Sequence, residues 1–127
     1  GRRPLLTVFG TDYPTRDGTG VRDYVHVTDL AAAHILALDA MDGGDLCWNL
    51  GNGAGYSVLE VLESIHRVSG HPVPHTRAGR RPGDAATLVA AAEPALRAGW
   101  QPRYAGLDEI VRTAFLWRQA HPDGYGA

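Results

Sequence analysis

The sequence has 127 residues, 44% hydrophobic and 20% charged, enough for one globular domain that buries about two-thirds of its unfolded surface. Its 12 basic side chains, all arginine, and 14 acidic ones give neither a basic field for nucleic acid nor an acidic tail. The single cysteine, Cys47, excludes an internal disulfide, so we expect the protein to reside in a reducing cytoplasm. No Cys/His cluster has zinc-site spacing, so we expect no bound metal. The apolar runs are too short to span a bilayer, so we expect no membrane association. The first residue is glycine rather than methionine, from which we expect a processed or partial chain.

The first part of the chain predicts two strands and a helix. Leu5–Phe9 is a short apolar run that ends at a glycine, which predicts a strand, and a loop rich in glycine and proline follows it. Arg22–Val27 alternates Tyr, Val, His and Val over its last four residues, which predicts a second strand. We then expect a helix that is capped by Thr28 or Asp29 and ended by the glycine pair at 43–44.

The middle of the chain predicts a strand, a glycine turn and a helix. Leu46–Leu50 has the composition of a third strand, and three glycines in the next five residues indicate a turn. Ser57 and Glu60 have the spacing of a capping box, so we expect a helix to begin there and to run as far as Gly70.

The last part of the chain is more irregular. Pro72–Thr76 predicts a weak strand, Arg77–Asp84 a charged loop, and Thr87–Ala90 an extended segment. Pro94–Ala98 predicts a short helix, and Leu107–Ala120 predicts a final amphipathic helix. Strands that alternate with helices indicate an α/β fold, although the strands are too few for a complete doubly wound nucleotide-binding sheet.

The glycine turn after the third predicted strand is similar in spacing to a dinucleotide-binding fingerprint. A G-x-G-x-x-G motif that begins at Gly51 requires glycine at position 56, where this sequence has Tyr56. No acidic residue in a convincing strand context lies about 20 residues further on. We therefore interpret the glycines as a tight strand-to-helix turn, with NAD pyrophosphate binding as the alternative.

Two groups of arginines are candidates for binding phosphate, because a planar guanidinium donates two parallel hydrogen bonds to phosphate oxygens. Arg22 follows the glycine-containing run Gly18–Val21, where the backbone is able to approach a ligand closely. Arg80 and Arg81 form the second group, with Asp84 three residues beyond Arg81. On spacing alone, an exposed surface charge remains the simpler interpretation of each arginine.

Three ring-bearing residues lie close to these arginines in the sequence. Phe9 ends the first predicted strand, where an aromatic residue usually belongs to the core. Tyr24 and His26 share one face of the second predicted strand, and packing is a simpler role for them than acid/base chemistry. From the residues alone, none of the three is assigned to a site.

The run Phe9–Ala31, FGTDYPTRDGTGVRDYVHVTDLA, resembles UDP-glucose (UDP-galactose) 4-epimerases, members of the extended short-chain dehydrogenase/reductase superfamily. The R-P-G-D run at 81–84 and the ending Trp117–Tyr125 are also similar to family motifs, so the match extends from about Leu5 to Gly126. Family members are considerably longer, and this chain has neither their NAD fingerprint nor, without lysine, their Tyr-x-x-x-Lys pair. The resemblance implies a C-terminal UDP-sugar-binding domain, residues 1–127, that lacks the N-terminal Rossmann domain.

The resemblance also implies a binding role for particular residues. Arg22 and Arg81 match arginines that bind the UDP diphosphate, and Asp84 matches an aspartate that binds the ribose hydroxyls. Leu88 matches a position at the edge of the hexose pocket, which is tyrosine in members confined to glucose and galactose and smaller in those that also accept N-acetylated sugars.

In the family, the uracil lies along one strand. The residues of this chain that match that strand are Thr7, Val8 and Phe9.

The activity that the resemblance implies belongs to a longer protein. That protein would be an NAD-dependent isomerase of galactose metabolism and a homodimer, with NAD bound by the N-terminal domain. It would interconvert UDP-glucose and UDP-galactose and, given Leu88, also UDP-GlcNAc and UDP-GalNAc. We assign no catalytic, cofactor-binding or metal-binding residue to this chain and expect it to be inactive alone. A non-catalytic UDP-sugar-binding module and another NAD-dependent nucleotide-sugar epimerase or dehydratase remain the alternatives.

Overall fold

A computed structural model of the chain describes residues 4–42 and 44–125. Within these ranges the elements in chain order are β1 (Leu6–Phe9), β2 (Val21–Arg22), α1 (Val27–Asp39), β3 (Tyr56–Ser57), α2 (Val58–Ser69), β4 (His75–Ala78), β5 (Thr87–Leu88), α3 (Glu93–Arg97) and α4 (Leu107–Ala120). Strands β1 and β4 form a parallel pair. In a second sheet, β2 lies between β3, which is antiparallel to it, and β5, which is parallel. The predicted α/β class is confirmed.

Helix α2 begins and ends as its local sequence predicts. The Ser57 hydroxyl accepts a hydrogen bond from the Glu60 amide, 3.1 Å away, and the Glu60 carboxylate accepts one from the Ser57 amide, 2.7 Å away. This capping box satisfies amides that the first turn of a helix leaves without partners. At the other end, Gly70 adopts the left-handed conformation with φ +75°, which favours glycine. The predicted bounds of α4, Leu107–Ala120, are also confirmed.

The start of α1 differs from the prediction. Strand β2 ends at Arg22 and the helix already begins at Val27, so the strand predicted over Arg22–Val27 is wrong, as is a shared strand face for Tyr24 and His26. The N-cap is His26, whose Nδ1 accepts a hydrogen bond from the Thr28 amide at 3.1 Å. The prediction of Thr28 or Asp29 as the cap is therefore wrong as well.

Asp29 is buried and joins α1 to the segment before α4. Its carboxylate accepts a hydrogen bond from the Tyr104 amide at 3.0 Å, and its carbonyl oxygen accepts one from Nε1 of Trp100 at 2.9 Å. Trp100 belongs to a small buried cluster with Ala33 and Ala95. Sequence spacing alone did not reveal this role, because both partners lie more than 70 positions away.

The strand predicted over Leu46–Leu50 is absent. A strand is stabilised by hydrogen bonds to a neighbour, and no strand of the described residues pairs with this segment. Helix α1 and the residues just after it carry exposed apolar side chains: Ile35, Leu38 and Met41 are 63%, 71% and 51% exposed. Helix α1 ends at Asp39, before the predicted stop at the glycine pair 43–44, of which position 43 lies outside the described residues.

Smaller differences concern the ends of the short elements. Strand β4 is His75–Ala78 rather than Pro72–Thr76, so it takes in the start of the predicted loop, and β5 covers only the first half of the predicted Thr87–Ala90 segment. Helix α3 lies one residue before its predicted position. Among the described residues, the helices are too short or too polar to cross a bilayer.

Candidate functional site

An open pocket with a volume of about 680 Å³ lies along β1. This volume falls within the range of roughly 300–1,000 Å³ that is usual for small-molecule sites. Its walls come from β1 and the two residues before it, the end of β2, the first residue of α2, the segment before β4 and the loop before β5. Residues that the sequence singled out as substrate-binding contribute much of this lining: Thr7, Val8, Phe9, Arg22, Arg81 and Asp84.

Strand β1 presents one free edge in the described part of the chain. The amides of Leu6 and Gly10 donate hydrogen bonds to the carbonyl oxygens of Pro74 and Ala78 at 3.0 and 2.9 Å. The main-chain N–H and C=O groups of successive residues point in opposite directions along a strand. Those of Thr7, which follows Leu6, therefore point away from β4. The main chain of β1 is therefore available to a ligand on that side.

The side chains of β1 divide between the core and the pocket. Val8 is 1% exposed and anchors the strand, whereas Phe9 is 39% exposed. The guanidinium carbon of Arg81 lies 4.8 Å from the centre of the Phe9 ring, a distance at which a cation and an aromatic face attract each other. The end of β1 therefore joins a flat apolar ring to a positive charge.

Asp84 lies between the two candidate arginines. Its Oδ2 accepts a hydrogen bond from Nε of Arg81 at 2.9 Å, and its Oδ1 lies 3.9 Å from Nη2 of Arg22. Nη1 of Arg22 also donates to the carbonyl oxygen of Ala85 at 3.0 Å. Two positive groups and one carboxylate leave a net positive charge beside the pocket, which suits a doubly charged anion such as a diphosphate.

The loop before β2 is tied to the start of α2, which fixes the approach to Arg22. Asp17 accepts hydrogen bonds from the Thr19 amide and hydroxyl at 2.8 and 2.7 Å and from the Ser57 hydroxyl. Burial by itself raises the pKa of Asp17, but the hydrogen bonds from Ser57 and Thr19 outweigh it and hold the pKa below its ordinary value. Arg16 forms an ion pair with Glu60 in the same region. These contacts hold the loop against the start of α2.

Leu88 does not belong to the lining of this pocket. It is 56% exposed on β5, where it is the register partner of Arg22 on β2. The structure thus places Leu88 beside Arg22 on the neighbouring strand, but outside the pocket that the other candidate residues line. A contact between Leu88 and a hexose stays a prediction.

Tyr13 is a pocket residue that the sequence did not single out. It is 6% exposed, and the guanidinium of Arg80 lies 4.3 Å from the centre of its ring. Arg80 also pairs with Asp12 at 2.8 Å, and this hydrogen bond lowers the pKa of the Asp12 carboxyl. Gly10 leaves room for the ring, because a Cβ there would lie 2.3 Å from it. A glycine close to an aromatic residue was the signal available in the sequence.

The glycine turn is a poor fit for NAD. A Cβ on Gly51 would lie 2.3 Å from the Asp23 carboxylate, and one on Gly55 would lie 2.7 Å from a methyl group of Val89. The space that a dinucleotide fingerprint leaves for a pyrophosphate is therefore filled by protein. Among the described residues there is also no cluster of His, Cys, Asp and Glu suited to a metal ion.

Fold and pocket together define an α/β module whose open pocket carries two arginines and an aspartate. Residues 3–51 match the model of the NAD dependent epimerase/dehydratase family. The UDP-glucose 4-epimerase of Lacticaseibacillus casei is 48% identical over 129 residues, which cover 99% of this chain and 39% of that protein. The chain is thus similar to UDP-glucose 4-epimerases over nearly its whole length, which confirms the resemblance.

Solved structures show the same similarity. A structure of UDP-glucose 4-epimerase from Bifidobacterium longum in complex with NAD⁺ and UDP is 42% identical, with a TM-score of 0.91, over 98% of this chain and 38% of that chain. The UDP-Glc/GlcNAc 4-epimerase of Campylobacter jejuni is 40% identical, with a TM-score of 0.82, over 94% of this chain and 37% of that chain. The chain therefore spans about two-fifths of the length of the relatives that it matches.

Proposed function

We propose that this chain is the UDP-sugar-binding part of an NAD-dependent UDP-hexose 4-epimerase that interconverts UDP-glucose and UDP-galactose. The observation that carries the proposal is the convergence of Arg22, Arg81 and Asp84 on one pocket that also contains a free strand edge and an exposed aromatic ring. The similarity to an epimerase that binds NAD⁺ and UDP supports it.

The proposed role of the chain is to bind and orient the nucleotide. Arg22 and Arg81 donate hydrogen bonds to the diphosphate, and Asp84 accepts them from the ribose hydroxyls. The Asp84 carboxylate also contacts both guanidinium groups, at 2.9 and 3.9 Å, and so holds the two arginines beside the pocket. Binding energy at the nucleotide then holds the distant hexose for chemistry by groups outside this chain.

The base has its own part of the proposed site. Uracil hydrogen-bonds to the main chain of β1 at Thr7, and its ring lies against Phe9, which is 39% exposed. Val8 is buried beneath the strand and holds it in place. NAD, bound outside this chain, supplies a hydride acceptor to the complete enzyme, and no residue of this chain is assigned to it.

The complete protein has further proposed properties. It is a homodimer and acts in the cytoplasm, a compartment that agrees with the exposed free Cys47. Beyond the glucose pair, it accepts UDP-GlcNAc and UDP-GalNAc, as the similarity to a UDP-Glc/GlcNAc epimerase supports.

Calorimetry of the 127-residue chain with UDP tests the binding role, and an assay with UDP-galactose and NAD tests activity. We expect UDP to bind and the chain alone to show no turnover, because it contains no lysine for a Tyr-x-x-x-Lys pair. Turnover above a control without protein would contradict this division of roles. Absence of UDP binding both here and in the complete protein would overturn the proposed function.

A freestanding, non-catalytic UDP-sugar-binding module is the second candidate, and the absence of lysine favours it. The exposed apolar residues Ile35, Leu38 and Met41 favour the epimerase instead, because a free module would leave them in water. A reading frame upstream that encodes G-x-x-G-x-x-G and Tyr-x-x-x-Lys decides for the enzyme.

A further inference from the structure

We propose that Asp23 is a positioning residue for the substrate site and holds Arg22 and Leu88 in register, an inference that rests on the function proposed above. Asp23 directly follows Arg22, at the point where β2 ends. It does not line the pocket, so its action on a substrate passes through the segments that it binds.

The strands at this site are too short to define their own alignment. Strands β2, β3 and β5 each contain two residues, whereas strands in globular proteins usually have about five or six. Few ladder hydrogen bonds form over two residues, and a shift of one position would turn each side chain to the opposite face. A group that fixes the ends of these strands therefore determines where Arg22 and Leu88 lie.

The Asp23 carboxylate provides such a group on both sides of β2. Oδ1 accepts a hydrogen bond from the Asn52 amide at 2.8 Å, and Oδ2 accepts one from the Gly53 amide at 3.0 Å, both in the turn that leads into β3. Oδ2 also accepts a hydrogen bond from the Ala90 amide at 3.2 Å, two residues after β5. Hydrogen bonds to an ionised carboxylate are about twice as strong as those between neutral groups.

The space around the carboxylate is closely matched to it. A Cβ on Gly51 would lie 2.3 Å from Oδ2 of Asp23 and 2.6 Å from Cβ of Ala90. Gly51 does not adopt a positive φ, so alanine is compatible with its backbone and would act only by displacing these neighbours. Gly51→Ala therefore disturbs the same contacts as removal of the carboxylate, but from the opposite side.

Four variants of the complete protein test the proposal: Asp23→Ala, Asp23→Asn, Gly51→Ala and the control Gly44→Ala, where a Cβ meets nothing within 4 Å. Steady-state kinetics with UDP-galactose should show KM raised about tenfold in Asp23→Ala and Gly51→Ala, with kcat changed by less than about threefold. Asp23→Asn retains one acceptor oxygen and should lie between Asp23→Ala and the wild type. A residue that only stabilised the fold would reduce the active fraction, and so the apparent kcat, while KM stayed unchanged.

Amide hydrogen exchange of the same proteins, without substrate, provides a readout that is independent of the proposed function. We expect the Ala90 amide to exchange at least about tenfold faster in Asp23→Ala and at the wild-type rate in Gly44→Ala. Unchanged exchange at Ala90, or faster exchange with an unchanged KM, would overturn the proposal. If the wild type turns over no UDP-hexose, the proposed epimerase function fails, and the exchange rates alone decide whether Asp23 holds the register.

Discussion

Arg22 and Leu88 are register partners on the parallel strands β2 and β5. The first is the proposed diphosphate ligand, and the second is the residue that the family resemblance relates to sugar choice. Because the two lie side by side, the strand pair connects nucleotide binding to the region where the hexose would be recognised. Substitution of each residue therefore has a different expected result.

Replacement of Arg22 by alanine should weaken UDP binding about ten- to a hundredfold, since a hydrogen bond to a charged group contributes about 1.5–3 kcal/mol. The loss should be similar for UDP and UDP-glucose, because both contain the diphosphate. Calorimetric titration of the complete protein measures this. Arg112→Ala is the matched control, because that arginine is exposed on α4 and pairs only weakly with Glu109 at 3.9 Å. An unchanged affinity for UDP in Arg22→Ala would remove this residue from the site.

The start of α2 should be sensitive to Ser57. Its hydroxyl caps the helix and also donates to Asp17, and the side chain is fully buried. Loss of an N-cap costs about 0.5–2 kcal/mol, and loss of a hydrogen bond to the charged Asp17 adds about 1.5–3 kcal/mol. We therefore expect Ser57→Ala to lower the free energy of unfolding by about 2–3 kcal/mol in urea denaturation. Ser69→Ala, at the other end of the helix, where the hydroxyl contacts only the main chain of His71, should lower it less. Equal stability of both variants would contradict the cap.

The ion pair between Arg67 on α2 and Asp108 on α4 predicts a pH dependence. A hydrogen bond from Arg67 is the main cause that lowers the pKa of Asp108 from 3.8 to about 2. A folded-state pKa below the unfolded value stabilises the fold above the unfolded pKa, and this contribution is lost as the pH falls through about 2.

Carboxyl NMR titration of the chain measures this shift directly. In Arg67→Ala the pKa of Asp108 should rise toward its ordinary value. Arg112→Ala, which removes an arginine from the same helix as Asp108, should leave the pKa low. A pKa of Asp108 near 3.8 in the wild type would show that the ion pair does not form in solution.

The elements that the sequence predicted correctly are those whose start and end are marked by neighbouring residues. The capping box of Ser57 and Glu60 and the glycine at position 70 are read within one helix, and the bounds of α2 followed from them. The segment Leu46–Leu50 has the composition of a strand, but a strand also requires a partner, and the described residues provide none. His26 caps α1 through its ring, a role that the usual preference for Ser, Thr, Asp and Asn does not predict.

The candidate site shows the same distinction. Arg22 and Asp84 are 62 positions apart, and physical reasoning on spacing could not bring them together, although the resemblance to epimerases did. Tyr13 was missed because its nearness to Gly10 in the sequence is a weak signal, and its contact with Arg80 forms in the folded chain. Leu88 was placed with the other candidates by resemblance, whereas in the structure it lies outside the lining of their pocket.

The choice of sugar provides the last prediction. Leu88 is smaller than tyrosine, has no hydroxyl and is 56% exposed in this chain, so it leaves room beside the 2-substituent of a hexose bound near β5. We expect the complete enzyme to interconvert UDP-GlcNAc and UDP-GalNAc as well as the unacetylated pair. Leu88→Tyr should selectively reduce the first activity, because the larger ring would occupy the space of the N-acetyl group.

Comparison of kcat/KM for both pairs of substrates in the wild type and in Leu88→Tyr measures the effect. Leu88→Ile is a suitable control, because it keeps an apolar side chain of the same size at the same position. Steric exclusion of a bound acetyl group should cost at least tenfold in kcat/KM for the N-acetylated pair, or about 1.4 kcal/mol, and leave the other pair within about twofold. If Leu88 only packs against its neighbours, both pairs should change together, and a wild type inert toward UDP-GlcNAc would show that leucine does not open the pocket.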